Sequence, residues 1–221
     1  MKFEDFKTLY DNCIVCFLRG SYVYGTSSPK SDIDHIMVVP DEYEDKLKSL
    51  FPDSEYDEYE FVINDLDYQI MTDRKFIEKV LLHDVVAIEG LYLPEKLYNN
   101  FNPVVKGSLD RYKQIFTLDK WKLRQAFSHV ASNSWVKAKK KMTVEKDYDM
   151  YIGQKSLFHS LRLLHFAIDI CEKGEIDYTG CVGLYNEIMY TQDPTWDKYY
   201  EKYHQMYNNL KTYFRILAER K

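Results

Sequence analysis

Apolar positions follow two regimes along the chain. At the start, Phe3, Phe6, Leu9 and Tyr10 recur at helical spacing and predict a short amphipathic helix over residues 2–12. The apolar run at 13–19 reads as a strand ending at Arg19-Gly20-Ser21, and a loop rich in Gly, Ser, Thr and Pro leads on to Lys30. A second strand spans 32–39 and is closed by Pro40. DEYEDKLKSLF then reads as a helix whose first turn is acidic, as the helix dipole favours. YEFVI and LDYQIMT flank the turn-prone pair Asn64-Asp65 and predict a hairpin over 59–72. Helices are expected from about Asp73 to His83 and around Ile88 up to Pro94. Beyond Pro103 the pattern lengthens, and 117–141, 147–173 and 194–219 read as helices punctuated by Gly174, Gly180 and Pro194. An α/β front half joined to a helical back half is the expected organisation, with the boundary at 105/106.

Charge sharpens this division. Residues 1–105 hold 10 basic and 21 acidic side chains, while 106–221 hold 20 and 14, so a net −11 sits beside a net +6. An acidic half suited to cations beside a basic half suited to phosphates is consistent with two functional parts. Hydrophobic residues make up 45% and charged residues 29% of the 221, which fits a globular chain and excludes a disordered one. No apolar run is long enough for a membrane span, and the charged N-terminus is unlike a secretory signal, so a cytoplasmic protein is expected. Cys13 and Cys16 form a C-x-x-C inside CIVCFL; read as a strand, that run points them to opposite faces and excludes a shared metal. Cys171 and Cys181 add no second pair, so reduced, buried thiols are expected.

One stretch concentrates the chemistry: Gly20-Ser21, a loop, and then Asp32 and Asp34 leading into IMVV. Two residues apart on a strand, Asp32 and Asp34 share a face, and two carboxylates so close call for a hard cation such as Mg²⁺ between them. Gly20 permits close backbone approach to a ligand, and the amides that follow, with the Ser21 hydroxyl, suit phosphate oxygens. A third carboxylate comes from Asp65 or Asp67, and only Asp67 lies within a strand if Asn64-Asp65 is the turn. On the helix after Tyr151, Lys155, His159 and Arg162 are spaced i, i+4, i+7 and form one polar stripe opposite Leu157, Leu161, Leu164 and Ile168. Such a stripe suits a triphosphate. The run Lys137–Lys141 is expected as a solvated helix end, with a nucleic-acid contact as the alternative. Trp121, Trp135 and the tyrosines at 199, 200, 203, 207 and 213 are expected to pack between helices, and His35 to be structural.

GSYVYGTSSPKSDIDHIMVV resembles the signature of the DNA polymerase beta-like nucleotidyltransferase superfamily. Its aromatic-Gly pair, Thr and Pro before Ser-Asp-x-Asp look most like the predicted nucleotidyltransferases of the RNA-ligase-associated family. The resemblance implies an α+β fold: a polymerase-beta-like core of mixed sheet and flanking helices over 1–105, then a helical region over 106–221. It implies Asp32 and Asp34 as ligands of catalytic Mg²⁺ or Mn²⁺, and selects Asp67 as the third carboxylate because Arg74-Lys75-Phe76 matches the element that follows it. It implies Gly20, Ser21, Lys155, His159 and Arg162 as nucleotide contacts. The implied activity is transfer of an NMP from an NTP to a hydroxyl, an RNA end favoured over a protein or small molecule, with release of pyrophosphate. A nucleotide-binding protein that has lost turnover is the alternative. His83-Asp84 and Val85-Val86 depart from the family pattern and leave the role of Glu89 open.

Overall fold

The computed structural model describes residues 1–29, 31–54, 57–63, 66–94 and 106–220. The expected turn at Asn64-Asp65, and with it the candidate Asp65, lies outside the described residues. Contacts divide the chain into two compact units, Met1–Thr117 and Leu118–Lys221.

The first unit is built on a five-stranded sheet of β1 (Val15–Leu18), β2 (Ile33–Val39), β3 (Glu58–Ile63), β4 (Leu66–Thr72) and β5 (Lys106–Gly107), in the order β3-β4-β2-β1-β5. β2 and β4 run parallel and every other pair is antiparallel, so the sheet is mixed. The unit extends past residue 105 because Lys106–Gly107 pairs with β1, and the Lys106 ammonium donates to the Tyr10 carbonyl at 3.0 Å. Too short to carry an alternation, β5 leaves no mark in the sequence pattern.

Strand alternation sorts the two faces of the sheet. On one face Cys16, Met37, Val39, Tyr68 and Ile70 pack with Phe6 and Leu9 of α1 (Phe3–Asp11) and Leu47 of α3 (Glu44–Leu50). His35 shares that face, 1% exposed and stacked on Tyr68 at 4.8 Å. Cys13 corrects the expectation of opposed thiols: it precedes β1 instead of lying in it, and both Cys13 and Cys16 enter this one core cluster. All four cysteines are buried free thiols. The other face carries Phe17, which meets Phe76 of α4 (Asp73–Leu81) edge-on at 6.0 Å. There α5 (Val85–Leu91) lies so close that a Cβ at Gly90 would fall 2.7 Å from the Phe17 ring. The helix α6 (Asp110–Ile115) sends Tyr112 edge-on against Phe76 and donates its hydroxyl to Asp73 at 2.7 Å.

The second unit consists of α7 (Lys120–Thr143), α8 (Met150–Lys173), α9 (Val182–Met189) and α10 (Trp196–Leu217). The first, second and fourth follow the predicted segments to within three residues. Asp119, Asp149 and Thr195 cap their N-termini with side-chain oxygens. Helix α8 is the centre of this unit, buried on most sides from Gly153 to Cys171 and packed by α7, α9 and α10.

Candidate active site

Arg19, Asp34, His35, Glu60, Asp67 and Gln69 line a cleft of about 120 Å³ at the end of the sheet where β2 and β4 begin. Parallel pairing sets Asp34 and Asp67 directly beside each other, since Asp34 is the register partner of Asp67 and Ile36 of Gln69. The side chains of Asp34 and Asp67 therefore leave the same face of adjacent strands.

Gly20, just after β1, lies against the Asp34 carboxylate. Its φ of +75° lies in the left-handed region, and a Cβ there would collide with the Asp34 carboxylate. The glycine is thus required twice, for its backbone conformation and for the approach of that backbone to Asp34. The expected loop after it begins instead as a one-turn helix, α2 (Ser21–Tyr24), capped by Gly20 and by a left-handed Gly25. This turn is anchored from α5: the Tyr24 hydroxyl donates to Glu89 Oε2 at 2.6 Å, and Glu89 is 9% exposed. Glu89 thus accepts a hydrogen bond from the turn that follows Gly20. Asp84, in the segment that departs from the family pattern, caps α5 by accepting from the Val86 amide at 3.0 Å.

A hydrogen-bonded chain leads from the cleft to the same helix. The Arg19 guanidinium donates to Gln69 Oε1 at 2.7 Å, Gln69 donates to Glu58, Glu58 pairs with Lys79 at 2.9 Å, and Lys79 pairs with Asp84 at 3.4 Å. Arg19, Glu60 and Gln69 were not singled out from sequence. The available signals were the position of Arg19 immediately before Gly20 and of Gln69 two residues after Asp67 on the same strand face. His35 turns away from the carboxylates into the core; burial pushes its imidazole down to about 4, against the opposing pull of the nearby Asp67 and Ile33 backbone.

A family model for the nucleotidyltransferase domain matches residues 3–114, half of the chain and nearly all of the sheet unit. The chain belongs to the nucleotidyltransferase domain family. A crystal structure of a nucleotidyltransferase-like protein from Exiguobacterium sibiricum 255-15 is similar at 10% identity, covering 97% of this chain and 76% of that one, with a TM-score of 0.37. A likeness that low carries no argument. No curated protein matches.

Asp32 sits one residue before β2 and is exposed, outside the residues lining the cleft. Among the described residues no three His, Cys, Asp or Glu side chains are grouped so as to hold a metal ion. The donors that are assembled, Asp34 and Asp67, are hard carboxylate oxygens of the kind Mg²⁺ and Mn²⁺ take, and Glu60 lines the same cleft. In the second unit Lys155 is exposed, with its ammonium 5.4 Å from the Tyr151 ring centroid, and His159 is half-buried. Arg162 departs from the expected polar stripe. It is 1% exposed, with its guanidinium 4.7 Å from the Phe166 ring centroid and bonded to His159 Nδ1 at 2.9 Å. Tyr199, Tyr203 and Tyr207 are buried between helices as expected, and Trp135 stacks on Tyr207 at 4.3 Å; Tyr200 and Tyr213 are exposed instead.

Proposed function

We propose that this nucleotidyltransferase moves an NMP from an NTP to a hydroxyl acceptor in a reaction that depends on Mg²⁺ or Mn²⁺, with pyrophosphate as the second product. The observation that carries the reading is the cross-strand pairing of Asp34 with Asp67 beneath the Gly20 backbone. In this account Asp34 and Asp67, with Asp32, hold the divalent cation. The chemistry a cation held there would supply is a lowered pKa for the attacking hydroxyl and neutralisation of charge on the transferring phosphoryl group. The chain's own contribution is position. Gly20 lets the Ser21 amide and hydroxyl reach the β- and γ-phosphates. Glu89 holds the turn still through Tyr24, and Gln69 fixes the Arg19 guanidinium in the cleft beside the carboxylates. Little covalent chemistry falls to the protein, so orientation and electrostatics carry the rate.

For the acceptor we favour an RNA end, on the resemblance to the RNA-ligase-associated family and on the basic surplus of the helical unit. The non-catalytic reading has one observation on its side, the position of Asp32 outside the cleft. Incubation of the full chain with Mg²⁺, each α-³²P-labelled NTP and total RNA separates the two. Label on RNA that is lost in Asp34→Asn establishes transfer, while NTP binding without label on RNA, polypeptide or small molecule establishes a binding protein.

A further inference from the structure

The hairpin between α7 and α8 carries a surface that the catalytic account does not use. Tyr148 and Tyr151 are 59% and 53% exposed, beside the exposed apolar side chains of Val144 and Ile152. Tyr151, Lys155 and His159 follow at i, i+4, i+8 along one side of α8, so the strip runs from open solvent toward the half-buried His159. Residues 137–155 contain six lysines and three acids. Two of the acids are engaged locally: Asp147 pairs with Lys140 at 2.7 Å, and Asp149 accepts from the Ile152 amide at 2.9 Å as the helix cap. The exposed charge of the hairpin is therefore predominantly positive.

The platform is also rigid. The Asp149 amide donates to the Lys141 carbonyl at 2.8 Å, closing the connection, and a Cβ at Gly153 would fall 2.6 Å from Met142 Cγ, so the two helices are in close contact here.

We infer that the α7–α8 hairpin is a docking surface for single-stranded nucleic acid, with Tyr148 and Tyr151 as stacking platforms and Lys139, Lys146 and Lys155 as backbone contacts. Charge complementarity selects the occupant: exposed π-faces interleaved with ammonium groups match bases alternating with phosphates. Few groups in the strip can read base edges, so binding is tolerant of sequence. The inference deepens the reading of the acceptor as RNA and rests on it for its role in the reaction. Its test needs no turnover.

That test is fluorescence anisotropy of a labelled single-stranded RNA of ~12 nucleotides titrated with the full chain, beside the same sequence as a duplex, as single-stranded DNA, and beside vesicles rich in anionic lipid. Single-stranded RNA is expected to bind more tightly than duplex. Combined Tyr148→Ala and Tyr151→Ala substitution is expected to weaken binding by about tenfold or more, while the two phenylalanine substitutions, which keep the rings, retain it. Lys139→Gln and Lys146→Gln are each expected to lower the salt slope by about one. Equal binding of single-stranded DNA also supports the surface, because stacking does not read the 2′-hydroxyl. The inference is overturned if the folded double alanine variant binds RNA like the wild type, if duplex binds as tightly, or if vesicles bind and oligonucleotides do not. Asp34→Asn is expected to bind RNA normally, so a failure of transfer and a failure of docking are told apart.

Discussion

Asp34, marked by its spacing from Asp32, and the Lys155–His159–Arg162 row, marked by helix period, are both spacing signals, yet the molecule treats them differently. In the sheet unit, alternation along β2 and β4 combines with their parallel register, and two residues 33 positions apart become neighbours in one cleft. In the helical unit, spacing along α8 sets three residues on one side, but that side passes from solvent into the core. Lys155 is exposed, His159 half-buried, and Arg162 buried against Phe166. Strand period identifies a face, and a sheet end keeps that face open. Helix period identifies a side without saying what covers it, and a helix at the centre of a bundle is covered nearly all round.

Substitutions sharpen that contrast. The largest effect on activity outside the carboxylates is expected at Gly20→Ala, where a methyl meets the Asp34 carboxylate and a φ of +75° strains any side chain. Transfer is expected to fall at least about 100-fold for an active-site displacement of this size, with thermal unfolding showing a loss of only about 1–3 kcal/mol for a non-glycine residue held in that conformation. In the helical unit the balance reverses. Arg162→Ala removes a buried guanidinium from His159 and Phe166 and is expected to cost about 3 kcal/mol, whereas exposed Lys155→Ala stays within about 0.5 kcal/mol. Denaturant melts of the two variants side by side measure this; equal stabilities would mean that burial does not distinguish them. Between Arg162→Ala and Lys155→Ala lies Tyr24→Phe, which leaves the buried Glu89 without this donor and is expected to cost about 1–2 kcal/mol, with a lower rate of transfer at unchanged cleft composition.

Much of the fold was legible because the elements are long or well punctuated. LDYQIMT, preceded by the turn-prone Asn64-Asp65, is β4 as read, and the helices at 120–143, 150–173 and 196–217 follow from sustained periodicity. Elements too short for a period were not legible: one turn of helix at Ser21–Tyr24, the two residues of β5, and α6. The C-x-x-C was misread because a strand period was applied to Cys13, which lies in the turn after α1. At the site, Gly20, Ser21, Asp32 and Asp34 stood out as a motif and Asp67 was selected by strand position and the resemblance, but Arg19 and Gln69 are joined only by the pairing of distant strands, which no local pattern encodes. Arg162 was legible as a cation and illegible as a buried one, since its surroundings are set by helix packing.

The central claim is that the cross-strand pair Asp34–Asp67 is the catalytic centre. Its most direct measurement is Mg²⁺-dependent NMP transfer from α-³²P-labelled NTP by Asp67→Asn and Asp65→Asn, each checked for native unfolding. The account predicts that Asp67→Asn loses transfer and Asp65→Asn retains it. Transfer preserved in Asp67→Asn and lost in Asp65→Asn would contradict it.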